Sequence, residues 1–155
     1  MPAYILGKDA GMYYTSTALT GTNGATLLNA GTALNEATNV MDVSMDVATD
    51  FVDITTRADG AAGFRAQAAT FKNASVTFDM KWLPGDAFFT LLKNAWLNNT
   101  TVAMYVLDQK KGVSGAQGLC GNFSVSFTAE QPLSDIQKAS VTLTLSDNGE
   151  WVSKT

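Results

Sequence analysis

Residues 75–82 read SVTFDMKW, and their alternation decides the fold. Val76, Phe78, Met80 and Trp82 are apolar while Ser75, Thr77, Asp79 and Lys81 are polar, the period-two pattern of a strand with one buried and one wet face. The same pattern recurs outward in both directions. Upstream, Val43, Met45 and Val47 alternate with Asp42, Ser44 and Asp46. Downstream, Phe123, Val125 and Phe127 alternate with Ser124 and Ser126, and Val141, Leu143 and Leu145 with Ser140, Thr142, Thr144 and Ser146. Residues 101–107, TVAMYVL, are almost continuously apolar and predict a strand covered on both faces. Residues 4–6 and 12–15 are weaker strand candidates.

One segment breaks the period. Phe88, Leu91, Leu92, Ala95 and Trp96 fall at i, i+3, i+4, i+7 and i+8, a single apolar stripe that predicts a helix. Pro84 and Gly85 precede Asp86, which is placed to cap its start, and Asn98 and Asn99 tolerate the left-handed turn at its end. Several short strands and one helix predict a mainly β fold, a β-sandwich or barrel with one flanking α-helix.

Three stretches lie outside this frame. Residues 50–73 form a long connection carrying Arg57, Asp59, Gly60, Gly63, Phe64 and Arg65; long ordered connections usually make contacts elsewhere. Residues 108–118 are polar and glycine-rich, and predict a loop between two strands. Residues 15–38, rich in Ala, Thr, Gly and Asn, predict a surface excursion with a short strand at 26–28.

Composition narrows the chemistry. The 155 residues fit one domain, 1–155, with a core large enough to need no disulfide. Only 15% of residues are charged against 46% hydrophobic, so much of the surface is neutral and suited to contact with other subunits. A net charge of −4 argues against gripping a phosphate backbone. His is absent and Cys120 is the one thiol, which removes His-based acid–base work, serine and cysteine triads and His- or Cys-rich metal sites. No catalytic residue, metal site or cofactor is expected. One cysteine fits synthesis in a reducing compartment. The apolar stretch near the N-terminus is too short for a signal-peptide core, and no run approaches the ~20 residues of a membrane-spanning helix.

Individual motifs have ordinary explanations. Gly112, Gly115 and Gly118 lie near Lys110 and Lys111, but no Gly-Lys-Ser/Thr follows and the next element is a strand, so they do not make a phosphate loop. Asp42, Asp46, Asp50 and Asp53 lack the calcium-loop pattern and read as a solvated acidic face. Cys120 reads as a small buried hydrophobe. The aromatic residues Trp82, Phe88, Phe89, Trp96 and Tyr105 fall mostly on the buried stripes, where a filled core explains them better than a ligand pocket.

The order of these motifs is more informative than any one of them. NVMDVSMD at 39–46, DITTRADGAAGFRAQAATFKNASVTFDMKW at 53–82, the helix DAFFTLLKNAWLNNT at 86–100, TVAMYVLD at 101–108 and EQPLSDIQKASVTLTLSDNGEWV at 130–152 together resemble the major tail tube proteins of long-tailed bacteriophages. In that family a Thr-Arg motif and a second Arg in a long loop precede a strand, a capped helix and an apolar strand ending in Asp. The positions here are Thr56, Arg57, Arg65, Asp86 and Asp108. The excursion 15–38 departs from the family pattern.

The resemblance implies a structural, non-enzymatic subunit that stacks as hexameric rings into a virion tail, assembled in the host cytoplasm. It further implies tail terminator, tape measure and distal tail proteins as partners, and DNA that passes through without specific binding. On that reading Arg57, Asp59, Phe64 and Arg65 are the candidate contacts between subunits, and Asp42, Asp46 and Asp79 the candidate lumen-facing residues. Six copies at −4 each put about −24 on a ring, a wall that repels DNA. Two alternatives stand beside it: the tube of a type VI or phage-like injection system, and a small-ligand-binding β-barrel. A tube subunit polymerises with concentration; a binding barrel stays small around a dry cavity.

Overall fold

A computed structural model describes residues 4–21, 23–30, 34–58 and 63–155 of the chain. Among these residues, seven strands and two α-helices follow a 3-10 turn at Gly7–Asp9, as β1 (Gly11–Thr15), α1 (Asn23–Ala30), β2 (Asn35–Glu36), β3 (Val40–Asp53), β4 (Gln67–Lys81), α2 (Ala87–Asn98), β5 (Thr101–Leu107), β6 (Gln117–Glu130) and β7 (Lys138–Ser153). The strands form one sheet in the order β2-β1-β5-β6-β7-β4-β3, antiparallel at every step.

This sheet is folded over on itself. The bend sits where β6 slips register on either side of Asn122 and β7 reaches Asn148, whose φ of 52° lies in the left-handed region. Beyond the bend, Gln117–Cys120 of β6 pairs with the last residues of β7, next to β5 and β1; before it, the rest of β6 and β7 runs beside β4 and β3. The two halves face each other across a core in which Met12, Val102 and Met104 of one half meet Val76, Phe78, Val141 and Leu143 of the other. The mainly β sandwich expected from the alternating runs is the one observed.

Helix α2 slots its stripe between the halves. The Phe88 ring lies 4.9 Å from that of Tyr14 on β1 and 6.0 Å from that of Phe78 on β4. Its ends are those read from the sequence: the Asp86 carboxylate accepts from the Phe89 N–H at 3.1 Å, and Asn99 closes the helix at φ 54°, ψ 39°.

The excursion departs from expectation. Residues 26–28 belong to α1, a helix rather than a strand, and its Leu28 is fully buried in a second core with Tyr13, Tyr105, Cys120 and Val152 on the outer face of β1, β5 and β6. Strand β5 is thereby covered on both faces, as its unbroken apolar run requires. Gly24 explains the close packing: a Cβ there would stand 2.8 Å from Cys120 Sγ and 2.9 Å from a Glu150 carboxylate oxygen. Tyr105 donates its hydroxyl proton to the Gly24 carbonyl at 2.7 Å. Residues 12–15 lie in β1 as expected; residues 4–6 are not a strand and stand exposed.

The long connection is also not a loop. β3 continues to Asp53 and β4 begins at Gln67, so most of residues 50–73 is an antiparallel hairpin, continued past its last ladder pair by the Ile54 N–H to Ala66 carbonyl bond at 3.0 Å. Ala68, Ala69 and Thr70, which read as loop, are strand residues with no core to face.

Candidate functional site: a polar sheet face and a projecting hairpin

The half-sheet β6-β7-β4-β3 turns its second face to solvent, and the register aligns that face into rows. Ser44, Thr77, Thr142 and Ser126 form one row, Asp46, Ser75, Thr144 and Ser124 a second, and Asp79, Ser140 and Thr128 a third. These rows contain two carboxylates and no Lys or Arg. Ser140 donates its hydroxyl to Asp79 at 2.8 Å. The rows end at Lys81, Lys138 and Glu130, where charge of both signs returns. The face is therefore hydroxyl-rich and acidic, with no aromatic platform for a base and no cation for a phosphate.

Asp46 and Asp79 thus share the face the alternation gave them. Asp42 has no ladder pair. β3 slips register between Val40 and Val43, so Met41 and Asp42 stand together opposite Asp79, and both border an open groove beside the β1–β5 pair. Such a bulge adds one residue and re-aims a side chain, which strict alternation does not reveal.

Two borders of this half-sheet lack a strand among the described residues. β3 ends the strand order, so one of its edges is open along 14 residues. On the far side, pairing between β5 and β6 stops at Thr101 with Ser124, which leaves residues 125–130 of β6 bonded to β7 alone. An open edge is a row of unmet N–H and C=O groups, a template for another chain.

Past Val47 the β3–β4 hairpin leaves the body. Asp53 lies six residues farther, about 20 Å along an extended strand. All of β3 beyond Val47 except Thr49 is exposed, and Phe51, Val52, Ile54, Phe64 and Phe71 put large apolar groups into solvent, with Phe64 78% and Phe71 77% exposed. Arg57, Phe64 and Arg65 gather at its end, all exposed. Asp59 lies outside the described residues. The hairpin is stiffened by its own polar bonds: Thr55 donates its N–H to the Asp53 carboxylate at 2.9 Å, its Oγ1 accepts the Ala66 N–H at 2.9 Å, and Asn73 donates to Asp50 at 3.2 Å. The Thr55 hydroxyl and N–H hold the Asp53 carboxyl below its usual range. Sequence reasoning singled out the charged and aromatic tip but missed Phe51 and Phe71. Their signal was available as bulky apolar residues inside a segment with no core partner.

The other candidate features are structural. Cys120 is buried, and desolvation, helped by Glu150, pushes its pKa up to about 12, so it is a packing residue. Among the described residues no group of His, Cys, Asp or Glu is arranged to hold a metal ion. Lys110 pairs with Glu36, and Lys111 donates its backbone N–H to the Tyr13 hydroxyl at 3.1 Å, so both lysines fasten the 108–116 loop. The interior expected of a ligand-binding barrel is instead filled, with Phe78, Phe88, Phe123 and Met104 fully buried between the halves.

No family model matches the chain, and no curated protein does. Solved structures do. The tail of an empty gene transfer agent particle, refined with C6 symmetry, aligns at a TM-score of 0.69 and 12% identity, covering 94% of this chain and 97% of that one. The SPP1 tail tube aligns at 0.68 and 11% identity, over 97% of this chain and 80% of that one. A chain of the anti-feeding prophage baseplate aligns at 0.60 and 7% identity, over 99% and 98%. The fold is the one these tail and baseplate subunits share.

Proposed function

We propose that the chain is the repeating subunit of a bacteriophage-type tail tube, stacking as hexameric rings around a channel for DNA. The observation that carries this reading is the hydroxyl and carboxylate face set between two open strand edges. It has the chemistry of a channel lining and the borders of a sheet that continues into its neighbours.

The open edge of β3 in one copy pairs with residues 125–130 of β6 in the next. Direction follows from symmetry. The half-sheet has four alternating strands, so β6 and β3 run oppositely, and rotation about the ring axis preserves each direction. Every junction is then antiparallel, and no edge remains open within the ring. The C6 symmetry of the gene transfer agent tail supports six copies, whose four strands each close a barrel of about 24 strands, wide enough for an aqueous channel. Asp46 and Asp79 face that channel. Their charge repels phosphates, and the hydrated Ser and Thr rows offer nothing to which DNA adheres, so the genome slides.

The projecting hairpin carries contacts to the adjoining ring. Arg57 and Arg65 supply charge-assisted bonds there, Phe64 an apolar anchor, and Asp59 belongs to the same set. The virion tail is the site of action, assembled in the host cytoplasm with terminator, tape measure and distal tail proteins. Negative-stain microscopy of concentrated protein tests the reading: tubes or six-fold rings are expected, and a species that stays monomeric at every concentration overturns it. Removing residues 54–66 is expected to leave a folded subunit without tubes; normal tubes from that variant would detach the hairpin from stacking.

A further inference from the structure

We propose that copies in a ring complete one another's cores: the last turn of α2, with Trp96, covers the bare apolar strip of the neighbour's β3. The inference rests on the tube reading and adds a side-chain contact that edge pairing alone does not require.

Within one chain α2 crosses the half-sheet without reaching its last strand. Its first turn packs at the end of β4, where the Phe89 ring lies 4.8 Å from that of Trp82, and its last turn on β6, where the Trp96 ring lies 5.5 Å from that of Phe127. On β4, Val76, Phe78 and Ala74 are buried. Their direct partners on β3, Met45, Val43 and Val47, share that core-side face yet are 37%, 39% and 51% exposed. Three apolar side chains in a row thus face the core side with nothing among the described residues to bury them.

The opposite border carries the complement. Past Ser124, β6 has no strand beside it, and its core-side residues Val125 and Phe127 are only partly buried. Trp96 stands at that border 50% exposed, although it packs on Phe127. One border therefore has an apolar strand without a cover, and the other an apolar cover without a strand. Such a pair of surfaces on one chain is the head-to-tail complementarity that closes a ring of copies. A second copy is the occupant because each border lacks what the other border of the same chain supplies.

Register does not decide this contact. Directly opposite residues in a sheet lie on the same face, so the pairings open to β3 and β6 differ in steps of two residues. Each slides Val43, Met45 and Val47 along Phe127 without turning them away from Trp96, whatever the stagger of the barrel.

Two measurements on the full chain test this. With Trp82→Phe and Trp151→Phe leaving Trp96 as the one tryptophan, tube formation is expected to shift its emission to shorter wavelength and to remove most of its quenching by acrylamide. In a second set, Leu97→Cys, in the same turn of α2, is paired in turn with Val43→Cys, Met45→Cys and Val47→Cys, and the tubes are treated with a short bismaleimide. A ladder ending at hexamers is expected from at least one of these pairs, and none from Leu97→Cys with Ser44→Cys on the opposite face; Cys120 is buried and does not compete. Three results would each overturn the shared core and leave the tube reading standing: a Trp96 as quenchable in tubes as in the monomer, tubes in which no core-side pair cross-links better than Ser44→Cys, or a ladder that runs past six into the adjoining ring. Parent protein that never assembles would instead remove the tube reading itself.

Discussion

Asn122 on β6 donates its side-chain N–H to the Asp147 carboxylate on β7 at 2.7 Å, at the point where both strands turn from one half of the sheet into the other. The same amide grips the excursion that precedes α1: its oxygen accepts the Leu19 N–H at 3.0 Å, and its nitrogen donates to the Leu19 carbonyl at 2.8 Å. Asn148 donates to that carbonyl as well, at 2.7 Å. A buried amide therefore holds the bend of the sandwich and the strap over its outer face together.

Asn122→Ala is expected to destabilise the subunit by about 2–3 kcal/mol, because it leaves the buried Leu19 amide and the Asp147 carboxylate without their partner. Urea denaturation monitored by tryptophan fluorescence measures the loss. A change below about 0.5 kcal/mol, the size of an ordinary surface substitution, would mean that water replaces the amide.

Asp86→Ala removes the oxygen that accepts the Phe89 N–H and is expected to cost about 1 kcal/mol. Asp86→Asn, which keeps an acceptor, is expected to retain most of that stability. Parallel thermal melts of the two variants separate the cap from the charge.

Alkaline pH is expected to weaken the fold through the α1 contact. Burial raises the Cys120 thiol from 9.0 to about 12, and desolvation likewise raises the Tyr105 hydroxyl. The unfolded chain therefore loses these protons first, so stability is intact below pH 9 and falls progressively from pH 9 toward 12. Cys120→Ala removes one of the two groups and should flatten that fall in a pH series of denaturation midpoints. At pH 8 the native thiol should resist labelling, and Gly24→Val, which forces α1 away from Cys120, should expose it.

Asp46→Lys with Asp79→Lys reverses the charge on the Ser and Thr rows without touching either core. Rings are expected to assemble, and DNA ejection from particles carrying them to slow and become strongly salt-dependent. Asp42→Lys, at a residue lining the groove, is expected to leave ejection unchanged. Equal effects from the two changes would place Asp42 on the channel after all.

The strands of the hydroxyl-bearing half were legible because each has one wet and one dry face, with register rows that follow the alternation from Ser124 to Ser126, Ser140 to Thr144 and Ser75 to Asp79, and β5 was legible as an unbroken apolar run. Helix α2 was legible through its stripe and both caps. Helix α1 was not: residues 23–30, NGATLLNA, are too short and too mixed to show a period, and Leu28 is fixed by tertiary burial against Tyr105 and Cys120. The hairpin was read as a loop because its alternation has no core to reward it, so Ala, Thr and Phe occur on both of its faces. The bulge beside Asp42 was not legible, because it shifts phase without changing composition. The candidate contacts were legible as residue types, Arg and Phe at an apex, but their projection from the body came only from strand pairing.

Because α1 rides on the opposite side of the sandwich from the hydroxyl rows, a substitution on one surface leaves the other untouched. In a conduit built as proposed, α1 points toward the medium, so that exterior can diversify its antigenic or adhesive character while the bore keeps its calibre.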